Sequence, residues 1–378
     1  MTSVDSSRVR AAVLDAPGTP LRIEQLILDP PAAGEVLVRL EASGVCHSDL
    51  HQAVGDWGDA GPLILGHEGA GVVEAVGDGV DDAILGRRVV LNWMGPCGAC
   101  GACGIGREWE CSETKALGNR MPDGTTRLRR EDGTDVFPLL GLGTFAEATV
   151  VPATAAVPVR DDIDPAVAAL IGCCVSTGVG AALKTARVIP NSSVVVIGLG
   201  GVGLSIVMGA AFAGAGAVVA VDRSEEKLER ARTAGATVGV LAEDDDDERT
   251  LAKIREATEG GAEFAFEAIG LPRTIELAIR TLGTGGTAVL VGMTAHDVRA
   301  SFDAFDVVDR SLRILGSNYG FTVGEVDFPR YADLHAEGRL PLDALVERRI
   351  DLVGIEEAFD AMRRGEGARR VVVFAGAA

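Results

Sequence analysis

Four cysteines lie close together in the first third of the chain, at Cys97, Cys100, Cys103 and Cys111, and glycines flank them. The glycines let the backbone fold tightly around a single ion. Four thiolates that leave no coordination position open are typical of a structural zinc. A disulfide framework is typical of small secreted proteins and does not suit a chain of 378 residues. The spacing therefore predicts one closed zinc site.

A glycine-rich turn follows the apolar run 194–197 and has the pattern Gly-x-Gly-x-x-Gly. It comprises Gly198, Gly200, Gly201, Val202 and Gly203. Such glycines let the backbone approach a pyrophosphate, whose charge is met by the N-terminus of the next helix. Asp222 closes the following apolar run, where a carboxylate would bind the adenosine ribose. It would also repel a 2′-phosphate and so favours NAD over NADP, although Arg223 beside it could accept that phosphate.

Other residues that could bind a metal are scattered, and no local pattern joins them. They are Cys46, His67 and the adjacent pair Cys173 and Cys174. Taken singly, each is more typical of a buried cysteine or a hydrogen-bonded core histidine than of a metal ligand. Composition and spacing alone do not assemble them into a site.

The pattern of apolar residues differs between two parts of the chain, and each pattern predicts the secondary structure that must position these residues. Up to about residue 173, short apolar alternations are broken by glycine and proline, which predicts a β-rich domain with many loops. From about residue 193, buried apolar runs alternate with helical patterns, which predicts βαβ units and a parallel sheet. The last sixty residues return to the mixed style.

Charge and hydropathy limit the partners. The net charge of -20 and the pI near 4.7 would repel nucleic acid or an anionic membrane surface, so small molecules are the expected partners. Residues 1–10 lack the apolar stretch of a signal peptide, and no uninterrupted apolar window of about 18 residues follows. We therefore expect a cytoplasmic protein without a membrane span.

The order of the motifs resembles the zinc-containing medium-chain alcohol dehydrogenases. The resemblance covers nearly the whole chain and is carried by Gly66-His-Glu-x2-Gly-x5-Gly77, the four-cysteine segment, Ser176-Thr-Gly178 and the glycine-rich turn. It implies an α/β protein with a GroES-like, β-rich catalytic domain at 1–174 and 318–378. A Rossmann domain, a doubly wound parallel sheet, would occupy 175–317, with NAD and substrate bound between the domains. The long segment after Cys111 resembles dimeric members, which implies a homodimer or, as a second choice, a homotetramer.

The resemblance also implies a second, catalytic zinc bound by Cys46, His67 and Cys173, with a fourth position for water or substrate. Cys173 is chosen because it lies three residues before Ser176, and the reactivity of Cys174 stays open. Asp49 would accept a hydrogen bond from the other nitrogen of His67.

Proton transfer and cofactor contacts follow from the same resemblance. Glu68 would either bind the zinc transiently or tune its field, and Ser48 and His51 resemble a proton relay that includes the nicotinamide ribose. The remaining implied contacts are His47 and Arg369 with the pyrophosphate, Lys227 with a ribose, Thr177 with the cofactor, and Trp57, Trp93, Phe145 and Met293 with the substrate.

The implied reaction is reversible hydride transfer between NAD and a primary alcohol or its aldehyde. One alternative keeps the fold but uses a thiol-formaldehyde adduct or a nitrosothiol, because residues 89–93 and 338–342 resemble mycothiol-dependent members. A second alternative is a non-catalytic sensor that binds zinc and a dinucleotide.

Overall fold

The fold is that of a computed structural model, which describes residues 6–58, 61–243 and 246–374. The chain separates into two compact units. The catalytic unit comprises Met1–Cys173, Val323–Ala336 and Val346–Ala378, and the nucleotide unit comprises Cys174–Thr322 and Glu337–Leu345. The predicted domain ends at 1–5 and 375–378 lie outside the described residues. Cys174 and residues 318–322 and 337–345 lie in the nucleotide unit, whereas the prediction placed them in the GroES-like domain. For residues 337–345 the reason is packing, since the Arg339 guanidinium lies over the Phe212 ring of the nucleotide unit.

The catalytic unit combines a small closed barrel with a seven-stranded sheet. The barrel contains, in spatial order, β1 (Ser7–Leu14), β2 (Arg22–Leu28), β7 (Leu128–Arg129), β8 (Asp135–Pro138) and β4 (Leu63–Ile64). The sheet contains β10 (Ala156–Pro158), β6 (Arg88–Leu91), β5 (Glu68–Val76), β3 (Glu35–Gly44), β18 (Arg369–Val373) and β17 (Val346–Ile350), with β9 (Ala148–Pro152) also paired with β3.

The helices of the catalytic unit are mostly short. They are α1 (His47–Val54), α2 (Gly101–Gly104), α3 (Ser112–Leu117), α4 (Pro165–Leu170), α11 (Gly324–Ala336) and α12 (Ile355–Arg363). The start of α4 is fixed by the Asp164 carboxylate, which accepts from the Ala166 amide, and by Pro165 in the first turn. Gly55 ends α1 in the left-handed conformation, at φ 90°.

The nucleotide unit contains a six-stranded parallel sheet, as the buried apolar runs predicted. Its spatial order is β13 (Val238–Leu241), β12 (Ala217–Asp222), β11 (Ser193–Ile197), β14 (Ala262–Glu267), β15 (Leu282–Leu290) and β16 (Arg313–Gly316). This is the Rossmann order. Successive strands are added to one side of β11 as far as β13, and from β14 onwards they are added to its other side, so the order reverses between β11 and β14. The helices are α5 (Ser176–Gly180), α6 (Gly201–Phe212), α7 (Glu225–Ala234), α8 (Asp247–Ala257), α9 (Pro272–Arg280) and α10 (Ala304–Asp309).

One helical run, Pro165–Ala186, is long and apolar enough to cross a membrane, with a mean hydropathy of 2.0. It consists of α4, α5 and the π-helical stretches Ile171–Val175 and Ala181–Ala186. Because 89% of its apolar window is buried inside the protein, it has the character of a core helix.

The glycine-rich turn joins β11 to α6, and two of its glycines have different surroundings. A Cβ added at Gly203 would overlap the carbonyl oxygen of Gly198, so this position keeps the helix close to the strand. A Cβ added at Gly200 would have no neighbour within 4 Å. The turn is therefore tightly packed at Gly203 and open at Gly200, and the open side is where a pyrophosphate fits.

Gly203→Ala should destabilise the nucleotide unit by about 1–3 kcal/mol, because backbone must shift to admit the methyl group. Gly200→Ala is the matched control and should change the free energy of unfolding by less than about 1 kcal/mol. Chemical denaturation of both variants measures the difference, and equal stability of the two would contradict the packing described here.

Candidate metal and cofactor sites

Strand pairing in the catalytic unit gathers residues that are far apart in sequence. β3 pairs with β5 so that Gly44 faces Glu68, and β18 pairs with β3 so that Val371 also faces Gly44. Cys46 lies two residues after the end of β3, His67 directly precedes β5, and Arg369 begins β18. All three therefore meet at one end of three neighbouring strands.

Cys46, His67, Glu68 and Cys173 form a buried cluster there, with one ligand atom of each within 4.8 Å of all the others. Their exposed fractions are 5%, 1%, 0% and 8%, so bulk water hardly reaches these atoms. Two sulfurs and an imidazole at this spacing suit zinc, and three protein ligands leave a position for substrate. The structure thus brings together the three predicted ligands of the catalytic zinc.

Asp49 holds two of the ligand loops together. One carboxylate oxygen accepts from the Cys46 amide at 3.0 Å. The other accepts from the Gly66 amide and lies 3.0 Å from Nδ1 of His67. With Nδ1 bound to the carboxylate, Nε2 of His67 is left to bind a metal.

Arg369 lies beside the metal ligands, which sequence reasoning did not predict. Its guanidinium is buried and donates to the Cys46 sulfur and to Oε1 of Glu68, both at 3.1 Å. The guanidinium pairs with Glu68 beside the cluster, because β18 pairs with β3 and brings residue 369 to the metal ligands. Its contact with a pyrophosphate stays a prediction.

The buried groups of the cluster shift one another's protonation. Burial raises the pKa of Glu68 to about 7, although Arg369 acts in the opposite direction. Hydrogen bonding to Cys173 lowers the pKa of Cys46, and the same contact together with burial raises the pKa of Cys173. Burial disfavours the charged form of His67, but Asp49 and Cys46 outweigh it and raise the pKa of the ring.

The four cysteines of the first motif form a second group, with all four sulfurs within 4.8 Å of one another. The Cys100 sulfur lies 3.5 Å from that of Cys103 and 3.9 Å from that of Cys111, and the sulfurs of Cys97 and Cys103 are 4.0 Å apart. Four sulfurs about 2.3 Å from one ion in a tetrahedron would be about 3.8 Å apart. The group therefore fits a closed zinc site.

α1 carries the two residues expected to move a proton. Ser48 lies 3.8 Å from the Cys46 sulfur, and His51 is one helical turn further on. Nδ1 of His51 lies 2.7 Å from the Asp56 carboxylate, and the ring stacks on Trp57 with centroids 5.0 Å apart. Sequence reasoning missed Asp56, whose only signal was a carboxylate just past the end of α1.

In the nucleotide unit, Asp222 ends β12 and binds the glycine-rich turn. Its carboxylate accepts from the Leu199 amide at 2.9 Å and from the Ser224 amide at 3.1 Å. Of the other predicted cofactor residues, Thr177 and Lys227 are partly buried, Arg223 is exposed, and His47 is exposed in the catalytic unit.

The four predicted substrate residues have different environments. Trp57 covers His51, and Trp93 lines a cavity of about 560 Å³ beside Cys97 and Cys100. Phe145 is fully buried in the core of the catalytic unit, so it supports the His67 loop from behind and presents no surface to a substrate. Met293, in the nucleotide unit, is 62% exposed.

Known proteins match the chain over nearly its whole length. Residues 32–161 match the alcohol dehydrogenase GroES-like domain, and residues 201–337 match the zinc-binding dehydrogenase family. An S-(hydroxymethyl)glutathione dehydrogenase of Paracoccus denitrificans is 34% identical and covers 97% of this chain and 100% of its own. The chain belongs to the zinc-containing medium-chain alcohol dehydrogenase family.

Two solved structures have the same fold. A benzyl alcohol dehydrogenase from Acinetobacter calcoaceticus is 30% identical, with a TM-score of 0.89, and the match covers 98% of this chain and 100% of that one. A zinc-binding dehydrogenase from Sinorhizobium meliloti, solved with NADP, is 26% identical with a TM-score of 0.77, and the match covers 97% and 100%.

These matches confirm the predicted fold class of a GroES-like domain plus a Rossmann domain. The chain is a dehydrogenase of this family, and the sensor alternative finds no support. The zinc-binding family match and the four-cysteine group support the zinc prediction. A nucleotide-bound neighbour and the open turn at Gly200 support a nicotinamide dinucleotide, predicted to be NAD.

Metal analysis should give two zinc ions per chain. Cys46→Ser should lose one zinc while the protein stays folded, because only the open site loses a ligand. Cys103→Ser should also lose one zinc but lower the unfolding temperature, because a structural site contributes folding free energy. Cys174→Ser, a buried cysteine outside both groups, is the control and should keep two ions. The reverse pattern for Cys46 and Cys103 would exchange the two assignments.

Proposed function

We propose that this protein is an NAD-dependent dehydrogenase that oxidises the hydroxymethyl group of a thiol-formaldehyde adduct. The observation that carries the proposal is the buried set of Cys46, His67 and Cys173, three ligands with ligand atoms close enough to share one ion. The full-length likeness to an S-(hydroxymethyl)glutathione dehydrogenase supports a thiol adduct over a simple primary alcohol. The adduct carries the same CH–OH group as the primary alcohol first predicted.

The chemistry requires that a hydroxyl lose a proton and its carbon lose a hydride. Zinc, when bound, supplies a Lewis acid that favours the deprotonated hydroxyl, and NAD supplies the hydride acceptor. The protein must therefore orient the hydroxyl, keep out water and carry the proton away. Burial of the cluster excludes water from the ligand atoms.

Ser48 and His51 are proposed to carry the proton. Ser48 lies beside the Cys46 sulfur and can accept a hydrogen bond from the substrate hydroxyl. His51 is partly exposed, and its Nδ1 lies 2.7 Å from the Asp56 carboxylate, which orients the ring and leaves Nε2 to accept a proton. The proton can pass from His51 to solvent.

NAD is proposed over NADP because of Asp222. Its carboxylate is held at the end of β12 by the Leu199 and Ser224 amides, where the ribose hydroxyls of a bound dinucleotide would lie. A 2′-phosphate placed there would meet this negative charge. A homodimer or homotetramer and a cytoplasmic location stay predictions.

A second candidate substrate is an aromatic primary alcohol. The likeness to a benzyl alcohol dehydrogenase favours it. Trp57, stacked beside His51, offers a flat apolar surface on which an aromatic ring could lie.

NADH formation should be at least about tenfold more efficient, in kcat/KM, with formaldehyde plus a thiol than with benzyl alcohol, because only the adduct engages contacts beyond the hydroxymethyl group. Glutathione and mycothiol are tested separately, and formaldehyde without thiol is the control. Equal or faster oxidation of benzyl alcohol without thiol would replace this proposal with the aromatic alcohol.

His51→Gln should slow hydride transfer more at about pH 6 than at about pH 9, because solvent hydroxide replaces the lost base only at high pH. Added imidazole should partly restore the rate. His335→Gln, in α11, is the control and should match the wild type. Single-turnover NADH formation measures the rates, and a mutant-to-wild-type ratio that is constant across pH would remove His51 from proton transfer.

A further inference from the structure

Glu267 ends β14, the strand on the far side of β11 from Asp222. In a sheet of this order a dinucleotide lies across the carboxyl ends of the strands at the switch between β11 and β14. Asp222, at the end of β12, lies on the side of β11 where the adenosine ribose would bind. The end of β14 therefore lies on the side of the nicotinamide half, and this placement rests on the proposed binding of NAD.

The Glu267 carboxyl binds the turn that follows it. Oε1 accepts from the Ile269 amide at 2.9 Å and the Gly270 amide at 2.8 Å. The Thr274 hydroxyl, in the first turn of α9, lies 2.7 Å from the same oxygen. The backbone carbonyl of Glu267 accepts from the amides of Val291 and Gly292 after β15. One residue thus fixes two adjacent turns at the carboxyl end of the sheet.

The turn held by Glu267 packs directly on the cofactor turn. A Cβ added at Gly198, the first glycine of the cofactor turn, would overlap the Ile269 side chain. A Cβ at Gly270 would overlap backbone atoms of Met293, and Gly270 itself has φ +89°. The turn is therefore packed against the cofactor turn on one side and against Met293 on the other, and the Glu267 hydrogen bonds fix its backbone between them.

A contribution to fold stability does not by itself explain why a carboxyl group is buried at position 267. Glu267 is fully buried, and Oε2 has no hydrogen-bond partner among the described residues. Burial raises the pKa of the group against the hydrogen bonds that Gly270, Thr274 and Ile269 donate. A buried polar group that is incompletely satisfied costs free energy and is retained mostly at functional sites.

We propose that Glu267 is a positioning residue for the nicotinamide half of NAD, acting through Ile269 and Gly270. Its carboxyl oxygen keeps the turn against Gly198, and the turn in its place forms one side of the nicotinamide binding surface. Asp222, which ends β12 on the other side of β11, holds the adenosine ribose.

The test measures binding of NADH and of AMP by isothermal titration calorimetry. Glu267→Ala should raise the Kd for NADH at least about tenfold, while the Kd for AMP changes less than about twofold, because AMP lacks the nicotinamide half. Glu267→Gln keeps an acceptor oxygen for the three donors and should bind NADH within about threefold of wild type. Glu263→Ala is the matched control, since Glu263 accepts from the Ser193 amide at the other end of β14.

Ile269→Ala should reproduce the selective loss of NADH affinity, and it provides the test if Glu267→Ala does not fold. Equal weakening of AMP and NADH, or a lower unfolding temperature with unchanged affinities, would overturn the positioning role. Glu267→Gln binding as poorly as Glu267→Ala would overturn it too. A wild-type protein that binds neither nucleotide would instead contradict the proposed NAD dependence, so the two failures are distinguishable.

Discussion

The carboxylate of Asp49 lies fully buried where the loop after β3 meets the loop before β5. It accepts from the amides of Cys46 and Gly66 and from His67, so that one side chain fixes the backbone of two metal ligands and the tautomer of the imidazole. Hydrogen bonds to a charged group contribute about 1.5–3 kcal/mol each and cost more when they are broken inside a protein. The geometry of the catalytic cluster therefore depends on Asp49 as well as on the ligands themselves.

The charges around this point favour a divalent cation. Two cysteines and two carboxylates lie around His67, namely Cys46, Cys173, Asp49 and Glu68. The guanidinium of Arg369 contacts this set at Cys46 and Glu68. Such a set of acidic groups is costly to ionise together in a buried place unless a cation neutralises them. The raised pKa values of Glu68 and Cys173 express that cost. Arg369 compensates part of it from one side, which explains why it is buried.

Much of this architecture could be predicted from the sequence, since its signals are local. The buried run 194–197, the glycine-rich turn and Asp222 predicted a Rossmann unit because strand, turn and helix are each encoded by neighbouring residues. The sulfurs of the four cysteines are close for the same reason. Arg369 could not be placed in this way, because its partner Glu68 is 301 residues away and is reached only through the pairing of β18 with β3.

Two further residues show the same limit. Phe145 was predicted to line the substrate site, but only the packed core reveals that its ring is enclosed behind Gly66. In the sequence, Glu267 is a carboxylate that closes an apolar strand, and Asp222 occupies the same kind of position. The position of Glu267 in the sequence did not reveal its proposed role. That role depends on the amides that its carboxyl group binds and on the packing of its turn against Gly198, and both arise only in the folded sheet.

The same kind of hydrogen bonding recurs in both structural units, at Asp49, Asp222 and Glu267. Each is a carboxylate at the end of a strand or in a helix beside one, and each accepts from the backbone amides of a glycine-containing turn. Glycine is needed in these turns for close approach or for positive φ, as at Gly66, Gly198 and Gly270, and it leaves the turn without side-chain packing of its own. A carboxylate that accepts several amides supplies the missing constraint. Turns that must leave room for a metal or a cofactor can thus be held from behind by groups that take no part in the chemistry.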